Sequence, residues 1–219
     1  MADIESLVHN EPVGRRLERH GLNRLLLLAD AVFAIAITLA ALEIKPHGEW
    51  KNASELWWAL RYPLFAYLLS FGVIAIYWVV HRDTFARVAR ADGGATVLSL
   101  LHLFTVALLP ALTQLLYEDF SNASLCVYAA GVAACGFTQA STWAWVAFRP
   151  QLLTHPMSRA YRLTRLGTSL LIPLYFSWIA WLGGRFFGGA ALFGAFGVVA
   201  VLAVVRFLIL PRLHPGPRR

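Results

Sequence analysis

Long apolar blocks alternate with short polar connections along this chain of 219 residues. A bilayer core about 30 Å thick needs about 20 apolar residues in helical form. Six blocks come close to that length or exceed it, at about 22–44, 56–80, 95–117, 125–148, 166–182 and 186–210. A polar leader, 1–21, precedes them and a basic tail, 211–219, follows them. The pattern predicts an all-α integral membrane protein with six transmembrane helices.

The positive side chains between the blocks indicate how the helices are oriented. Fifteen of the nineteen Lys and Arg residues lie in the leader and the entry to the first span, in the second-to-third and fourth-to-fifth connections, and around the tail. The other four lie at the opposite ends of the spans. Because Lys and Arg are enriched on the cytoplasmic side of a membrane, both termini are predicted to be cytoplasmic.

The composition narrows the class of function. Hydrophobic residues make up 58% of the chain and charged residues only 14%, whereas soluble domains carry roughly 25% charged residues. The net charge of +7 comes mainly from arginines between apolar blocks, so the lipid bilayer and not nucleic acid is the expected partner. Cys126 and Cys135 would lie about 13 Å apart on one helix, too far for a disulfide. The sequence contains no C-x-x-C or H-E-x-x-H motif, and we expect no metal, no cofactor and no enzyme activity.

An acidic residue inside the first span is the most unusual polar position. A charged side chain at the centre of a span costs about 2.5–3.5 kcal/mol on insertion scales, so Asp30 needs a partner or a function. Arg24 precedes it by six residues, which places the two about 120° apart around a helix. We therefore expect Asp30 to bond to the second span, where Trp78, His81 and Arg82 are candidates. A structural clamp is the favoured interpretation, with ion binding as the alternative.

Beyond Asp30, one face of the first span is apolar. Ile35, Leu39 and Leu42 are spaced by four and three residues and share that face, with Thr38 on its flank. Such a stripe commonly packs against another helix. It can also gate ions, because water leaves a narrow apolar ring, while nearby hydroxyl groups can replace lost hydration. The pattern alone leaves both interpretations open.

Two stretches of the chain resemble a known family. The run RLLLLADAVFAIAITL at 24–39, followed by LEIKP at 42–46, resembles the first helix of the transmembrane protein 175 family. This family comprises the endolysosomal potassium channels and their bacterial relatives. The second span, YLLSFGVIAIYWVVH at 67–81, is also similar to its counterpart there. The chain departs from the family at Leu28 and Ala29, where the signature has Phe and Ser, and at His102, where bacterial relatives often carry an amide.

The resemblance implies a homotetramer of six-helix subunits in a bacterial inner membrane, with four first helices lining a pore for potassium. It also implies that the re-entrant filter loop of ordinary potassium channels is missing, and the chain has no Thr-Val-Gly-Tyr-Gly run. Carried over by position, Ile35, Leu39 and Leu42 form a hydrophobic constriction, and Thr38 is linked to potassium preference. The residues of the expected structural network that anchors this helix are Arg24, Asp30, Trp78 and His81.

A proton-coupled secondary transporter that uses Asp30 or His102 is the alternative function. Transporters commonly carry inverted repeats and broken helices around a site at the membrane midplane, and this sequence shows neither pattern. An ionisable residue inside a span suggests function by default. For His102, however, we favour a neutral, hydrogen-bonded histidine between helices over a proton relay.

Overall fold

The computed structural model of the chain describes residues 13–46, 48–119 and 121–186, together with Gly194 and Gly197. Within these residues the chain forms five long α-helices: α1, Val13–Leu42; α2, Ala53–Phe85; α3, Gly93–Asp119; α4, Asn122–Ala147; and α5, Arg159–Phe186. A short 3₁₀ helix, Pro150–Leu152, lies between α4 and α5. The described part of the chain is therefore helical, as the sequence pattern predicts.

Four of these helices are long and apolar enough to cross a membrane. They coincide with the first four predicted spans and cover His20–Leu42, Ala53–Phe85, Gly93–Glu118 and Asn122–Ala147. The fifth predicted span, 166–182, lies within α5. The sixth predicted span, 186–210, lies outside the described residues except for Phe186, Gly194 and Gly197, and so does the predicted tail, 211–219.

The helix boundaries differ from the predicted spans because polar residues also favour helix. Val13 begins α1 inside the predicted leader, where Arg, Leu and Glu dominate the sequence and all three have high helix propensity. Before α2, the Asn52 side chain accepts a hydrogen bond of 2.9 Å from the backbone N–H of Glu55. The Glu55 carboxylate in turn accepts the backbone N–H of Lys51 at 2.7 Å. This reciprocal capping starts α2 ahead of its apolar block.

The five long helices pack against one another. α1 packs against α2 and α3, while α4 lies between α3 and α5. The largest buried side chains include Phe33, Leu109, Tyr128, Trp143 and Phe176. Small residues allow close approach as well: a β-carbon at Gly136 of α4 would lie only 2.7 Å from the β-carbon of Pro173 in α5. Close contact through small residues is the usual way in which helices associate in a membrane.

The end of the bundle that contains Arg87, Arg149 and Arg165 is here named the arginine-rich end. Asp92 precedes α3 there and accepts the backbone N–H of Ala95 at 2.8 Å. The indole of Trp145 and the guanidinium of Arg149 also donate to the Asp92 carboxylate, at 3.0 and 2.8 Å. Partial burial opposes ionisation, but these three hydrogen bonds and the Arg149 charge outweigh it and lower the pKa of Asp92. The cluster ties the start of α3 to the end of α4.

A second set of contacts joins the two loops at the arginine-rich end. The backbone N–H of Ala89 donates to Leu152 at 2.8 Å, and that of Thr154 donates to Arg87 at 3.0 Å. Nearby, the guanidinium of Arg165 pairs with the Asp83 carboxylate and lies 4.2 Å from the centre of the Trp143 ring. These contacts link α2, α4 and α5 at the arginine-rich end of the apolar core.

Replacing Gly94 with alanine should weaken the junction of α3 and α4, because the added β-carbon would overlap the Trp145 ring. Overpacking of this kind costs about 1–3 kcal/mol. Thermal unfolding of the purified protein in one detergent measures the effect. Gly93→Ala is the matched control, since no atom lies within 4 Å of its added β-carbon and alanine favours helix. Equal unfolding temperatures for the two variants would contradict this packing.

Candidate functional site

The first helix divides into two faces. Ala29, Phe33, Ala36 and Ala40 recur every three or four residues and are at most 2% exposed. Their side chains turn towards α2 and α3, against which α1 packs. Three of the four are alanines, so the backbone of α1 can approach its neighbours closely.

A second face of α1, about 120° around the helix from these residues, carries the predicted apolar stripe. Ile35 is 56% exposed, Leu39 45% and Leu42 70%. Among the described residues of one subunit, the stripe therefore does not pack against the other helices. In a membrane such a surface meets either lipid or another copy of the chain, and only the second arrangement makes a shared conduit.

Thr38 is exposed beside this stripe, with a hydroxyl whose hydrogen is already used. The hydroxyl donates to the carbonyl oxygens of Ala34 and Ile35, at 3.1 and 2.9 Å. The lone pairs of the hydroxyl oxygen remain available to accept a hydrogen bond or to coordinate a cation. The hydrogen bonds also hold the side chain in one orientation on the helix.

Asp30 is clamped to the second helix, as its position in the span predicts. The indole nitrogen of Trp78 donates to a carboxylate oxygen of Asp30 at 2.8 Å. The guanidinium of Arg82 lies 4.8 Å from the centre of the Trp78 ring. One aromatic side chain thus lies between an acidic and a basic group, and it joins α1 to α2.

Arg24 and His81, the other members of the predicted network, do not bond to Asp30. Arg24 is exposed, and the described residues contain no ion pair between it and Asp30. His81 is 2% exposed and faces α4, where its Nδ1 lies 3.3 Å from the amide oxygen of Gln139. The structure therefore brings together Asp30 and Trp78 only.

Several polar residues around His81 were not predicted from the sequence. Ser99, Gln139 and Thr142 are buried in α3 and α4, and the Gln139 amide donates to the Thr84 hydroxyl at 3.2 Å. Their signal in the sequence was a polar side chain inside an apolar block, as for Asp30. His102 belongs to the same layer and lies between α3 and α4, hydrogen-bonded to the Cys135 carbonyl at 3.1 Å.

At the end of α1 away from the arginine-rich end, the helix is fastened to α3. The Tyr117 hydroxyl donates to the backbone carbonyl of Glu43. The Glu43 carboxylate pairs with Lys45 at 3.3 Å in an exposed position, where an ion pair contributes little to stability. Among the described residues, no group of three or more His, Cys, Asp or Glu side chains could hold a metal ion.

The proteins to which this chain is similar are named as potassium channels. Residues 24–110 match the family model described as the endosomal/lysosomal potassium channel TMEM175. A protein named as a potassium channel from Streptomyces collinus is 37% identical over 153 residues, which cover 65% of this chain and 73% of that protein. A potassium channel of Chamaesiphon minutus is 37% identical over 109 residues, covering 46% of this chain and 52% of the relative.

A solved structure resembles the fold. It is the crystal structure of a lysosomal potassium-selective channel TMEM175 homolog from Chamaesiphon minutus. The TM-score is 0.68 at 26% sequence identity, and the match covers 84% of this chain and 97% of that one. The similarity therefore extends well beyond the first two helices in which the sequence resemblance is concentrated.

Trp78→Phe should loosen α1 from α2, because it removes the indole N–H and leaves the Asp30 carboxylate without its donor. Because Asp30 is exposed in the single subunit, we expect a loss of about 1 kcal/mol, the typical net value of one hydrogen bond. The unfolding temperature in detergent reports the loss. Trp57→Phe is the control, since that indole is 59% exposed. If both variants had the unfolding temperature of the wild type, the clamp would contribute nothing to stability.

Proposed function

Because this chain belongs to the family of the endosomal/lysosomal potassium channel TMEM175, we propose that it is a potassium-permeable channel. In this proposal potassium crosses passively along an axis shared by four copies of the chain. Each subunit has six helices, with both termini on the cytoplasmic side of a bacterial inner membrane. No catalytic step is involved, in keeping with a family of channels.

The observation that carries the proposal is the outward face of α1. Ile35, Leu39 and Leu42 are exposed, whereas Ala29, Phe33, Ala36 and Ala40 of the same helix are buried. Four such helices around an axis turn the three side chains into three apolar rings. Successive rings lie about 6 Å and 4.5 Å apart along the helix, from a rise of about 1.5 Å per residue. Rings of this kind form a constriction that ions can pass only while it is filled with water.

Thr38 supplies the polar element of the same constriction. It lies one residue before Leu39, and its hydroxyl oxygen is exposed with the hydrogen turned back to the helix. Four such oxygens could replace part of the hydration shell of a potassium ion. Since the chain has no Thr-Val-Gly-Tyr-Gly run, we propose that selectivity arises here.

The clamp between Asp30 and Trp78 has a positioning role in this scheme. It holds α1 against α2 at 2.8 Å, on the arginine-rich side of the apolar stripe. The contact holds the rotation of α1 about its own length. That rotation decides which side chains of α1 face the shared pore axis. Arg24 is exposed in the single subunit, so we assign its anchoring role to contacts that form when the subunits assemble.

Purified protein in liposomes should carry potassium down its gradient with no proton gradient present. The flux is measured with potassium-loaded vesicles and a potential-sensitive dye. Vesicles without protein are the control. Flux that required a proton gradient would instead favour a proton-coupled transporter using Asp30 or His102. Absence of flux in every condition would contradict the proposal.

Leu39→Cys should form disulfides between subunits, because side chains close to a symmetry axis can approach within the roughly 4 Å between β-carbons that a disulfide needs. The experiment uses a background without Cys126 and Cys135, with mild oxidation and denaturing gels. Ala40→Cys is the matched control one residue away, on the buried face at 1% exposure. An intact oligomer with no cross-link at Leu39 would show that the lining face is assigned wrongly.

Thr38→Ala should keep potassium flux but reduce discrimination against sodium. Loss of an oxygen contact worth about 0.7–1.4 kcal/mol corresponds to about a three- to tenfold fall in the permeability ratio. Reversal potentials in mixed potassium and sodium solutions measure it. Thr154→Ala, on the loop between the 3₁₀ helix and α5, is the control. An unchanged ratio in Thr38→Ala would remove this residue from the selectivity mechanism.

A further inference from the structure

An arginine near the start of α2 is held against two aromatic rings. The guanidinium carbon of Arg61 lies 4.4 Å from the centre of the Trp58 ring and 4.4 Å from the centre of the Tyr62 ring. One of its nitrogens donates to the Tyr62 hydroxyl at 3.0 Å. All three residues are exposed. We name Trp58, Arg61 and Tyr62 the Arg61 cluster, and it lies at the end of α2 away from the arginine-rich end.

The sequence of α2 places the Arg61 cluster at a membrane boundary. The stretch 62–81 contains 20 residues and no Asp, Glu, Lys or Arg, and it is bounded by Arg61 and Arg82. These two arginines are about 32 Å apart along the helix, from a rise of about 1.5 Å per residue, and the hydrocarbon core is about 30 Å thick. Arg82 lies beside Trp78 much as Arg61 lies beside Trp58, and aromatic rings are enriched at both membrane boundaries. Arg61 therefore lies at the level of the lipid headgroups.

No carboxylate in the described part of the chain neutralises Arg61. The ion pairs between described residues do not include it. Glu55, the acidic residue closest to it in α2, accepts the backbone N–H of Lys51 at 2.7 Å and the side-chain amide of Asn52 at 2.9 Å. Glu55 precedes Arg61 by six residues, which places the two about 120° apart around the helix. The positive charge of Arg61 therefore faces the headgroup region.

The guanidinium of Arg61 has the geometry to bind an anion there. An arginine side chain carries five N–H donors in one plane, and one hydrogen bond, to Tyr62, engages them within the described residues. Two neighbouring rings hold the group in place, so binding requires little further ordering of the side chain. The planar group matches two oxygens of a phosphate through a pair of parallel hydrogen bonds. Every phospholipid carries a phosphate at this depth.

We propose that the Arg61 cluster is a binding site for the phosphate group of a phospholipid, in the leaflet at this end of α2. The Arg61 guanidinium donates hydrogen bonds to two phosphate oxygens. The Trp58 and Tyr62 rings contact the lipid next to its phosphate and hold the guanidinium in position. In the orientation proposed for the channel this is the outer leaflet. The site does not depend on potassium conduction or on the number of subunits.

The chemistry of the site predicts how four variants differ. Arg61→Gln removes the charge, and its affinity for the lipid should fall about tenfold. Arg61→Lys keeps the charge but loses the planar pair of donors and the stacking, so it should recover little of the affinity. Trp58→Leu should also weaken binding, because the guanidinium loses one of its two rings. Lys51→Gln is the matched control, since it removes a positive charge from an exposed residue at the same end but outside the Arg61 cluster.

Contact with the lipid is tested by solid-state nuclear magnetic resonance of the full-length protein with ¹³C-labelled arginine. Phosphatidylcholine bilayers in a phosphate-free buffer make the lipid the only source of ³¹P. The Cζ signal of Arg61 is identified by its loss in Arg61→Gln, and it should be dephased by ³¹P. Trp58→Leu should keep the signal and reduce the dephasing. An Arg61 signal that is not dephased, while those of other arginines are, would overturn the proposal. Coverage of the cluster by another subunit would give that same result.

Affinity is tested by native mass spectrometry in a maltoside detergent, which contains no phosphorus. At equal concentrations of phosphatidylcholine, the wild type and Lys51→Gln should retain one more lipid per chain than Arg61→Gln and Arg61→Lys. Diacylglycerol with the same acyl chains, which has no phosphate, should bind the wild type no better than Arg61→Gln. Equal lipid retention in all variants would overturn the proposal. So would displacement of the lipid by an equal concentration of inorganic phosphate, because the site would then be one for a free anion.

Discussion

In the proposed channel, the bond from Trp78 to Asp30 holds the rotation of α1, and the identity of the outward face depends on that rotation. Hydrophobic burial cannot make this choice in a membrane, because lipid is as apolar as a leucine side chain. Both faces of α1 are apolar, so the helix could turn either way at little cost. A hydrogen bond to a carboxylate is directional, so the 2.8 Å contact with Trp78 favours one rotation, as does the bond from Tyr117 to the Glu43 carbonyl. Alanines on the inward face then allow close packing.

Buried polar side chains serve the same purpose between the other helices. Near the middle of α2, the Ser70 hydroxyl lies 2.6 Å from that of Thr113 and 2.9 Å from that of Tyr128. These three residues join α2, α3 and α4 in one cluster. Tyr77, two helical turns further along α2, donates to the Val132 carbonyl at 2.9 Å. Because few alternative partners exist in hydrocarbon, such bonds fix the register between helices.

The sequence resemblance and the structure reached the same family from different parts of the chain. The resemblance rested on the first two spans, whereas the structural match covers 84% of the chain. In the polar layer around His81 and His102, the hydrogen bonding of His102 to a neighbouring helix was predicted, but Ser99, Gln139 and Thr142 were not, although each was visible as a polar letter in an apolar block. Sequence spacing places residues on one helix, but it does not say which helices meet.

What the sequence determined by itself is the class of protein, the positions of its first five helices and the residues of the apolar stripe. These follow from local rules, since the length of an apolar run and a spacing of three or four residues need no partner. The tertiary structure alone decided that Trp78 and not His81 bonds to Asp30, that Arg24 stays apart from Asp30, and that the stripe faces away from the described helices of its own subunit. These depend on the packing of separate helices, which directional polar contacts specify and hydropathy does not.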